Sequence, residues 1–324
     1  MTVNKTEITD AELKRLKEVI ASVPLLKPIL NDDPDIERSG GLTNRNYLVN
    51  VGADRYVLRV PGEGTDDYMD RASDEYAARI TSDLGVNAEL VYYQTGTGVQ
   101  LTRLVENADT LTPESFRDLE LARRAGRLFA TVHNSGKSFL TDFNDLEVGK
   151  EYLGILKQMN GDFPDGYDEI QKEAIVVREA LATKAGPLVP SHNDPVPENF
   201  INTPERMYLL DWEFGGNNDC MWDLGDLSVE GYFTEEQDRA MLEAYLDGGF
   251  SEQLYSRMIL QKSMVFLLWT LWGALQVANK NPLNPRDIHY PFDDFWEYTM
   301  NRFTRCQEIM NSDSFGSHLE NVKK

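Results

Sequence analysis

Three oxygen-bearing side chains in the second half of the chain have the types and the order that phosphoryl transfer requires. Asp194 stands two residues after His192 and five before Asn199, and Asp211 directly follows a predicted apolar strand at 207–210. In phosphoryl transfer from ATP, one carboxylate orients and deprotonates the attacking hydroxyl, while an amide oxygen and a second carboxylate hold Mg²⁺. We expect Asp194 to be the base and Asn199 and Asp211 to be metal ligands, because Mg²⁺ prefers hard oxygen ligands.

These residues must be positioned by a strand-rich insert within a mainly helical region. Apolar periodicity predicts helices at 113–133, 145–159, 167–184, 234–246, 252–279 and 292–310, and strands within 188–212. The first third instead predicts strands at 46–51, 55–60, 89–93 and 99–104, with helices near residues 9–23 and 71–84. We therefore expect an α+β protein with a β-rich N-terminal lobe, residues 1–105, and a mainly helical C-terminal lobe, residues 106–324.

Composition argues against several classes of protein. The chain of 324 residues has 54 Asp and Glu against 32 Lys and Arg, a net charge of −22. This balance disfavours a nucleic-acid partner, since such proteins bind phosphates through Lys and Arg. Cys220 and Cys306 are too few for a disulfide framework. The N-terminus lacks the apolar core of a signal peptide, and the uncharged stretch 263–279 predicts a buried helix rather than a membrane span. We expect a cytoplasmic protein without membrane insertion.

The motifs around the three residues resemble those of a known family. His192, Asn193 and Asp194 with Asn199 form its signature, and the runs LDWEFGG at 210–216 and WDLGDL at 222–227 continue it. The chain resembles the kinase-like small-molecule phosphotransferases related to aminoglycoside phosphotransferases, and within them the choline and ethanolamine kinases. The resemblance covers nearly the whole chain. It implies a protein-kinase-like two-lobe fold with ATP in the cleft between the lobes, Glu213 as a further metal ligand, and Asp223 bracing the catalytic loop.

The same resemblance implies that the N-terminal lobe binds the nucleotide. Arg59 stands where protein kinases have a phosphate-contacting lysine, and a guanidinium can bind phosphate in a bidentate manner. Its partner acid should lie on the following helix, where Asp70, Asp74 and Glu75 are candidates; we select Glu75. The backbone at 102–105 would form hydrogen bonds with the nucleobase of ATP. The remaining cofactor-binding candidates are Ser39, Gly41, Thr43 and Asn44 of a phosphate-covering loop, and Arg103 and Val105 near the hinge.

Aromatic residues near the C-terminus indicate a site for a cationic acceptor. Trp269 and Trp272 are three apart on a predicted helix, and Phe295 and Tyr298 repeat that spacing. Aromatic faces bind quaternary ammonium groups, although such a stripe is more often core packing. The resemblance to the paired-tryptophan segment of choline kinases favours binding. It also implies that Glu230 and Tyr232 surround the acceptor, with Glu230 offsetting its charge.

These residues predict an enzyme that phosphorylates the hydroxyl of choline, using ATP and Mg²⁺ and giving phosphocholine and ADP. The nearest alternative is the same chemistry on ethanolamine, thiamine, an aminoglycoside or another amino alcohol. A nucleotide-binding pseudokinase scaffold is an alternative of another class, disfavoured because Asp194, Asn199 and Asp211 are all present. The oligomeric state is left open, with a homodimer as one alternative.

Overall fold

Contacts divide the chain into two compact units. The computed structural model describes residues 8–31, 36–38, 44–62, 70–283 and 291–324. The first unit comprises Met1–Thr110 and Ile201–Glu213, and the second comprises Leu111–Phe200 and Phe214–Lys324. The segment Ile201–Glu213 thus belongs to the first unit, although it lies far along the chain.

The helices and strands are as follows in chain order. The helices are α1 (Asp10–Ser22), α2 (Arg71–Asp83), α3 (Leu119–His133), α4 (Asp145–Met159), α5 (Tyr167–Thr183), α6 (Cys220–Glu230), α7 (Glu235–Tyr245), α8 (Glu252–Ala278), α9 (Phe295–Met310) and α10 (Phe315–Asn321). The strands are β1 (Ile36–Arg38), β2 (Asn44–Val51), β3 (Asp54–Pro61), β4 (Leu90–Gln94), β5 (Val99–Arg103), β6 (Asp109–Thr110), β7 (Val189–Ser191), β8 (Phe200–Asn202), β9 (Met207–Leu209) and β10 (Gly216–Asn218).

The first unit is built on an antiparallel sheet of five strands in the order β1-β2-β3-β5-β4. Alternate residues of the hairpin β2–β3, among them Tyr47, Val49 and Leu58, are buried, because successive side chains of a strand point to opposite faces. Leu16 and Ile20 of α1 belong to the same apolar core. The sheet therefore has one face covered by α1, and it carries β3, on which Arg59 lies.

The second unit is mainly helical, with α8 at its centre. This helix contacts α4, α5, α6, α9 and α10. By length and composition α8 could cross a membrane, yet 83% of its most apolar window is buried within the protein. That burial is typical of the core helix of a globular unit, as the interrupted stretch at 263–279 predicted.

The predicted fold class is confirmed, and most element boundaries differ from the predictions by three residues or fewer. The predicted helix at 113–133 is divided, because Asp118 caps α3 by accepting the Glu120 N–H at 2.9 Å, while Ser115–Arg117 forms a separate 3₁₀ turn. Helix α6 was not predicted, since its run of apolar and acidic residues is buried on all sides and has no clear polar face.

Candidate active site

The predicted catalytic loop of the second unit connects β7 and β8. Strand β7 pairs with β10 in antiparallel register. Asn193 has a left-handed backbone with φ 72°, a conformation that asparagine tolerates better than most residues. Its side-chain amide donates to the Phe214 carbonyl at 2.8 Å, and its own amide oxygen accepts from Asn218 at 2.9 Å. These bonds fix the backbone immediately before Asp194.

The carboxylate of Asp223 also holds this loop in place. Its two oxygens accept the backbone N–H groups of His192 at 2.7 Å and Asn193 at 2.8 Å. The Nε2 atom of His133 lies 3.2 Å from one of these oxygens, and its Nδ1 lies 3.2 Å from the Tyr245 hydroxyl. Because the buried carboxylate of Asp223 bonds to two backbone N–H groups of the loop, it braces the loop, as the resemblance implied.

Asp194 and Asn199 are brought together on this loop. The Asn199 side-chain amide donates to the Asp194 carbonyl at 3.3 Å, and the loop is closed by the Val196 N–H donating to the same carbonyl at 2.9 Å. Asp194 is half-buried, and its negative charge is one of the causes that raise the pKa of Asp226. The arrangement leaves the Asp194 side chain partly accessible to solvent.

In the first unit, Arg59 joins two of the acids expected near the nucleotide. Its Nη1 donates to Asp211 Oδ1 at 2.7 Å, and its Nη2 donates to Asp74 Oδ2. Asp74 is 1% exposed and also accepts the Tyr93 hydroxyl at 2.6 Å. Burial alone would lower the pKa of Arg59, but the charges of Asp74 and Asp211 outweigh it and raise that pKa further. Arg59 is therefore a permanently charged link between β3, α2 and the segment after β9.

The selection of Glu75 as the acid that pairs with Arg59 was wrong. Glu75 instead accepts from Arg79, four residues later on α2, at 2.9 Å, and from the Thr95 hydroxyl. Asp70 caps the N-terminus of α2 by accepting the Ala72 N–H at 3.0 Å. Adjacent residues of a helix point about 100° apart, so only one of residues 74 and 75 can face the sheet.

Asp211 and Glu213 form a pair of acidic groups at the end of the first unit. Asp211 has a left-handed backbone with φ 63°. Glu213 accepts from the Asn44 side chain at 2.8 Å. Burial and the Asp211 charge raise the pKa of Glu213 to about 8, with Arg59 partly opposing them. Two carboxylates whose charges repel are a hard-oxygen donor set that fits Mg²⁺, an ion often held by one or two carboxylates together with phosphates.

Other predicted ligands lie elsewhere or outside the described residues. Asn199 belongs to the second unit, and in the described ranges no three His, Cys, Asp or Glu side chains are grouped to hold a metal. Ser39, Gly41 and Thr43 fall outside the described residues.

Near the predicted nucleobase site, the backbone N–H of Arg103 donates to the Glu89 carbonyl at 2.9 Å. The exposed side chain of Arg103 pairs with Glu89 and Asp54. The backbone N–H of Arg103 is thus already bonded to another backbone group and does not serve as the expected donor to the nucleobase. Val105 follows β5 as a half-buried residue.

The four predicted aromatic residues of the acceptor site converge in the second unit. The ring centroid of Trp272 lies 6.3 Å from that of Trp269, 5.5 Å from Phe295 and 5.6 Å from Tyr298, each in edge-to-face geometry. Trp269, Phe295 and Tyr298 are buried in the core between α8 and α9, whereas Trp272 is half-buried. We call these four residues the aromatic cluster.

Glu230, expected to offset the charge of the acceptor, has a cationic partner within the protein. Arg302 Nη2 lies 2.7 Å from Glu230 Oε2, and both side chains are buried. The Arg302 guanidinium lies 4.5 Å from the ring centroid of Tyr298 and 5.7 Å from that of Tyr232. The charge of Glu230 is therefore already compensated by Arg302, and Tyr232 and Tyr298 contact this internal cation.

Comparison with known proteins agrees with this geometry. Residues 36–260 match the phosphotransferase enzyme family. The chain belongs to that family. A crystal structure of a choline/ethanolamine kinase family protein from Mesorhizobium loti is 38% identical with a TM-score of 0.83, covering 96% of this chain and 99% of the other. This phosphotransferase therefore has the kinase-like fold and is a choline/ethanolamine kinase-like enzyme that acts on an alcohol.

Two further structures are similar to this phosphotransferase. Choline kinase LicA from Streptococcus pneumoniae is 26% identical with a TM-score of 0.72, covering 92% of this chain and 98% of the other. A structure of LicA in complex with AMP is 25% identical with a TM-score of 0.70, covering 94% and 98%.

Sequence reasoning assigned no role to four residues that contact the predicted residues of this phosphotransferase, namely Asp74, His133, Asp226 and Arg302. The sequence carried a signal for each of them. Arg302 follows Tyr298 by four residues and so shares its helical face, and His133 ends the apolar stripe of α3. Asp74 was among the three candidates but was not selected. Asp226 lies within the motif at 222–227, but spacing alone does not distinguish it from Asp223, because helix α6 is buried on all sides.

Proposed function

We propose that the protein phosphorylates the hydroxyl of choline with ATP, giving phosphocholine and ADP. The observation that carries the proposal is the aromatic cluster, in which three rings surround Trp272 in the same unit as Asp194. A trimethylammonium group cannot donate a hydrogen bond, so its binding depends on aromatic faces and apolar contact. The choline kinase LicA, which is similar over nearly the whole chain, supports this choice of acceptor.

In this proposal each of the candidate site residues has a definite role. Asp194 orients the acceptor hydroxyl and takes its proton, and the bonds from Asp223 to the loop backbone keep Asp194 in place. Arg59 contacts the phosphates, held by Asp74 and Asp211. Asn199, Asp211 and Glu213 would hold Mg²⁺, which neutralises charge on the phosphates when bound. The AMP complex of LicA supports an adenine nucleotide as the donor.

Ethanolamine is the second candidate acceptor. The similar protein from Mesorhizobium loti is described by a family that includes both choline and ethanolamine kinases. Ethanolamine keeps the hydroxyl and the positive charge and differs in carrying N–H donors.

We further infer that the reaction takes place in the cytoplasm, where ATP is available. The free thiols Cys220 and Cys306 fit a reducing compartment.

An acceptor panel tests the proposal. ADP release should be measured with choline, ethanolamine, thiamine and an aminoglycoside, and choline should give the highest kcat/KM. Trp272→Ala should raise the KM for choline about 5- to 30-fold, the equivalent of one cation–π contact, and leave the KM for ATP unchanged. Trp272→Phe should cost less, since an aromatic face remains.

Trp296→Ala is the matched control for these variants. Trp296 is a half-buried tryptophan on α9 that is not part of the aromatic cluster, so its loss should leave the choline KM unchanged. A wild type that consumes ATP with none of the four acceptors would refute the kinase proposal and favour the scaffold. A wild type that prefers thiamine or an aminoglycoside would refute choline as the acceptor.

A further inference from the structure

Asp226 is a fully buried acid with an unusual set of neighbours in the second unit. It lies on α6 one helical turn before Glu230 and is 0% exposed. The indole N–H of Trp269 donates to its Oδ1 at 3.1 Å. Its Oδ2 is also buried, and within the described part of the chain no donor lies within hydrogen-bond distance of it.

The surroundings of Asp226 oppose its negative charge. Burial, and then the charges of Asp194 and Glu230, raise its pKa well above the ordinary carboxyl value, and the Trp269 indole N–H only partly opposes them. A buried polar group without its full set of partners costs stability. An asparagine or an apolar residue would fill the same space at lower cost. A buried acid that carries this cost is therefore a candidate for a functional group, and a cation bound against it would favour its ionised form.

The other two acids of this part of α6, Glu230 and Asp223, already have partners within the protein, which leaves Asp226 as the acid that a bound cation can contact. Glu230 is compensated by Arg302 at 2.7 Å. Asp223 is occupied by two backbone N–H groups and by His133. Trp269 presents its ring to Trp272 and its N–H to Asp226, so this carboxylate lies against the aromatic cluster.

We propose that Asp226 binds the cationic nitrogen of the acceptor and that its Oδ2 accepts a hydrogen bond from acceptors whose nitrogen carries N–H. The inference rests on the proposed function, because it takes the acceptor to be an amino alcohol. It assigns a specificity-determining role to Asp226: ethanolamine gains both a charge contact and a hydrogen bond, choline gains only the charge contact, and the neutral carbon isostere of choline, 3,3-dimethylbutan-1-ol, gains neither.

The test compares wild type and Asp226→Asn with these three acceptors in the ADP-release assay. The asparagine keeps the shape and an oxygen for the Trp269 N–H, but it removes the charge and the second acceptor oxygen. The KM for ethanolamine should rise about 10- to 100-fold, as for the loss of a hydrogen bond to a charged group. The KM for choline should rise less, and the values for the carbon isostere and for ATP should not change.

Asp238→Asn is the matched control, a buried aspartate on α7 whose partners are Lys262 at 2.8 Å and the Ser228 hydroxyl. It should not change the order of the three acceptors. Binding without turnover should be followed in parallel as the rise in Tm that ethanolamine causes, which should be lost in Asp226→Asn and kept in Asp238→Asn.

Each other outcome overturns the proposal in a recognisable way. If the wild type phosphorylates choline or ethanolamine but Asp226→Asn changes neither KM, or changes the isostere equally, Asp226 has no specificity role although the kinase function stands. If Asp226→Asn does not fold, the carboxylate already has a structural partner and the proposal is wrong. If the wild type neither binds nor phosphorylates any amino alcohol, the proposed function fails and the inference fails with it.

Discussion

Asp74→Asn is the change that best separates the observed partner of Arg59 from the one selected by sequence. Asp74 is 1% exposed and accepts from both Arg59 and Tyr93. Breaking a buried ion pair costs about 3 to 5 kcal/mol. Because Arg59 keeps Asp211 at 2.7 Å and the asparagine keeps one acceptor oxygen, we expect the lower end, about 3 kcal/mol of unfolding free energy. The KM for ATP should also rise, because the guanidinium loses one of its two anchors.

Glu75→Gln is the matched control, one residue away on the same helix. Its pair with Arg79 is an i,i+4 contact between partly exposed side chains, worth about 0.5 kcal/mol or less. Urea denaturation followed by tryptophan fluorescence measures the first quantity, and ADP release at varied ATP measures the second. The reasoning would be refuted if Asp74→Asn cost less than Glu75→Gln, or if only Glu75→Gln impaired the use of ATP.

Three further changes test other parts of the structure. Asp194→Asn should lower kcat by about 10²- to 10⁴-fold while nucleotide binding persists; near-normal turnover at saturating substrate would remove Asp194 as the base. Arg302→Met should lower the unfolding free energy by about 3 to 5 kcal/mol by leaving Glu230 uncompensated, and adding Glu230→Gln should restore part of it, as urea denaturation can measure; strictly additive losses would contradict the pair. Burial lowers the pKa of His318 below its ordinary 6.5, so the unfolded chain binds the proton more readily and stability falls as the pH drops below about 6.5. His318→Gln should make the Tm less dependent on pH between about pH 7.5 and 5, and an unchanged slope would count against this.

The elements were predictable because their signals are local. The alternation in β2 and β3 and the apolar stripe of α3 are set by residues within one turn or one strand of each other. The loop around Asp194 could be identified as a candidate site because its residue types and their order lie within a short stretch. Both depend on neighbours in sequence.

The partners of the buried charges were not predictable, since they are set by distant elements. Asp74 and Glu75 are both acidic and adjacent, and only the packing of α2 on the sheet selects Asp74. Arg302 reaches Glu230 across 72 residues. No periodicity in the sequence reports such a contact, so Glu230 was assigned to a substrate cation when its partner is an internal one.

The inclusion of Ile201–Glu213 in the first unit constrains how that unit forms during synthesis. Arg59 and Asp74 leave the ribosome early, but Asp211, the other partner of Arg59, lies 101 positions after Thr110, the end of the unit's main segment. At ~5–20 residues per second, the ribosome needs roughly 5 to 20 s to translate that interval. The nascent N-terminal sheet therefore lacks the Asp211 partner of Arg59 until the whole first segment of the second unit, Leu111–Phe200, has been made. A fragment ending at Thr110 lacks β9 and Asp211 and is not an equivalent of the folded unit.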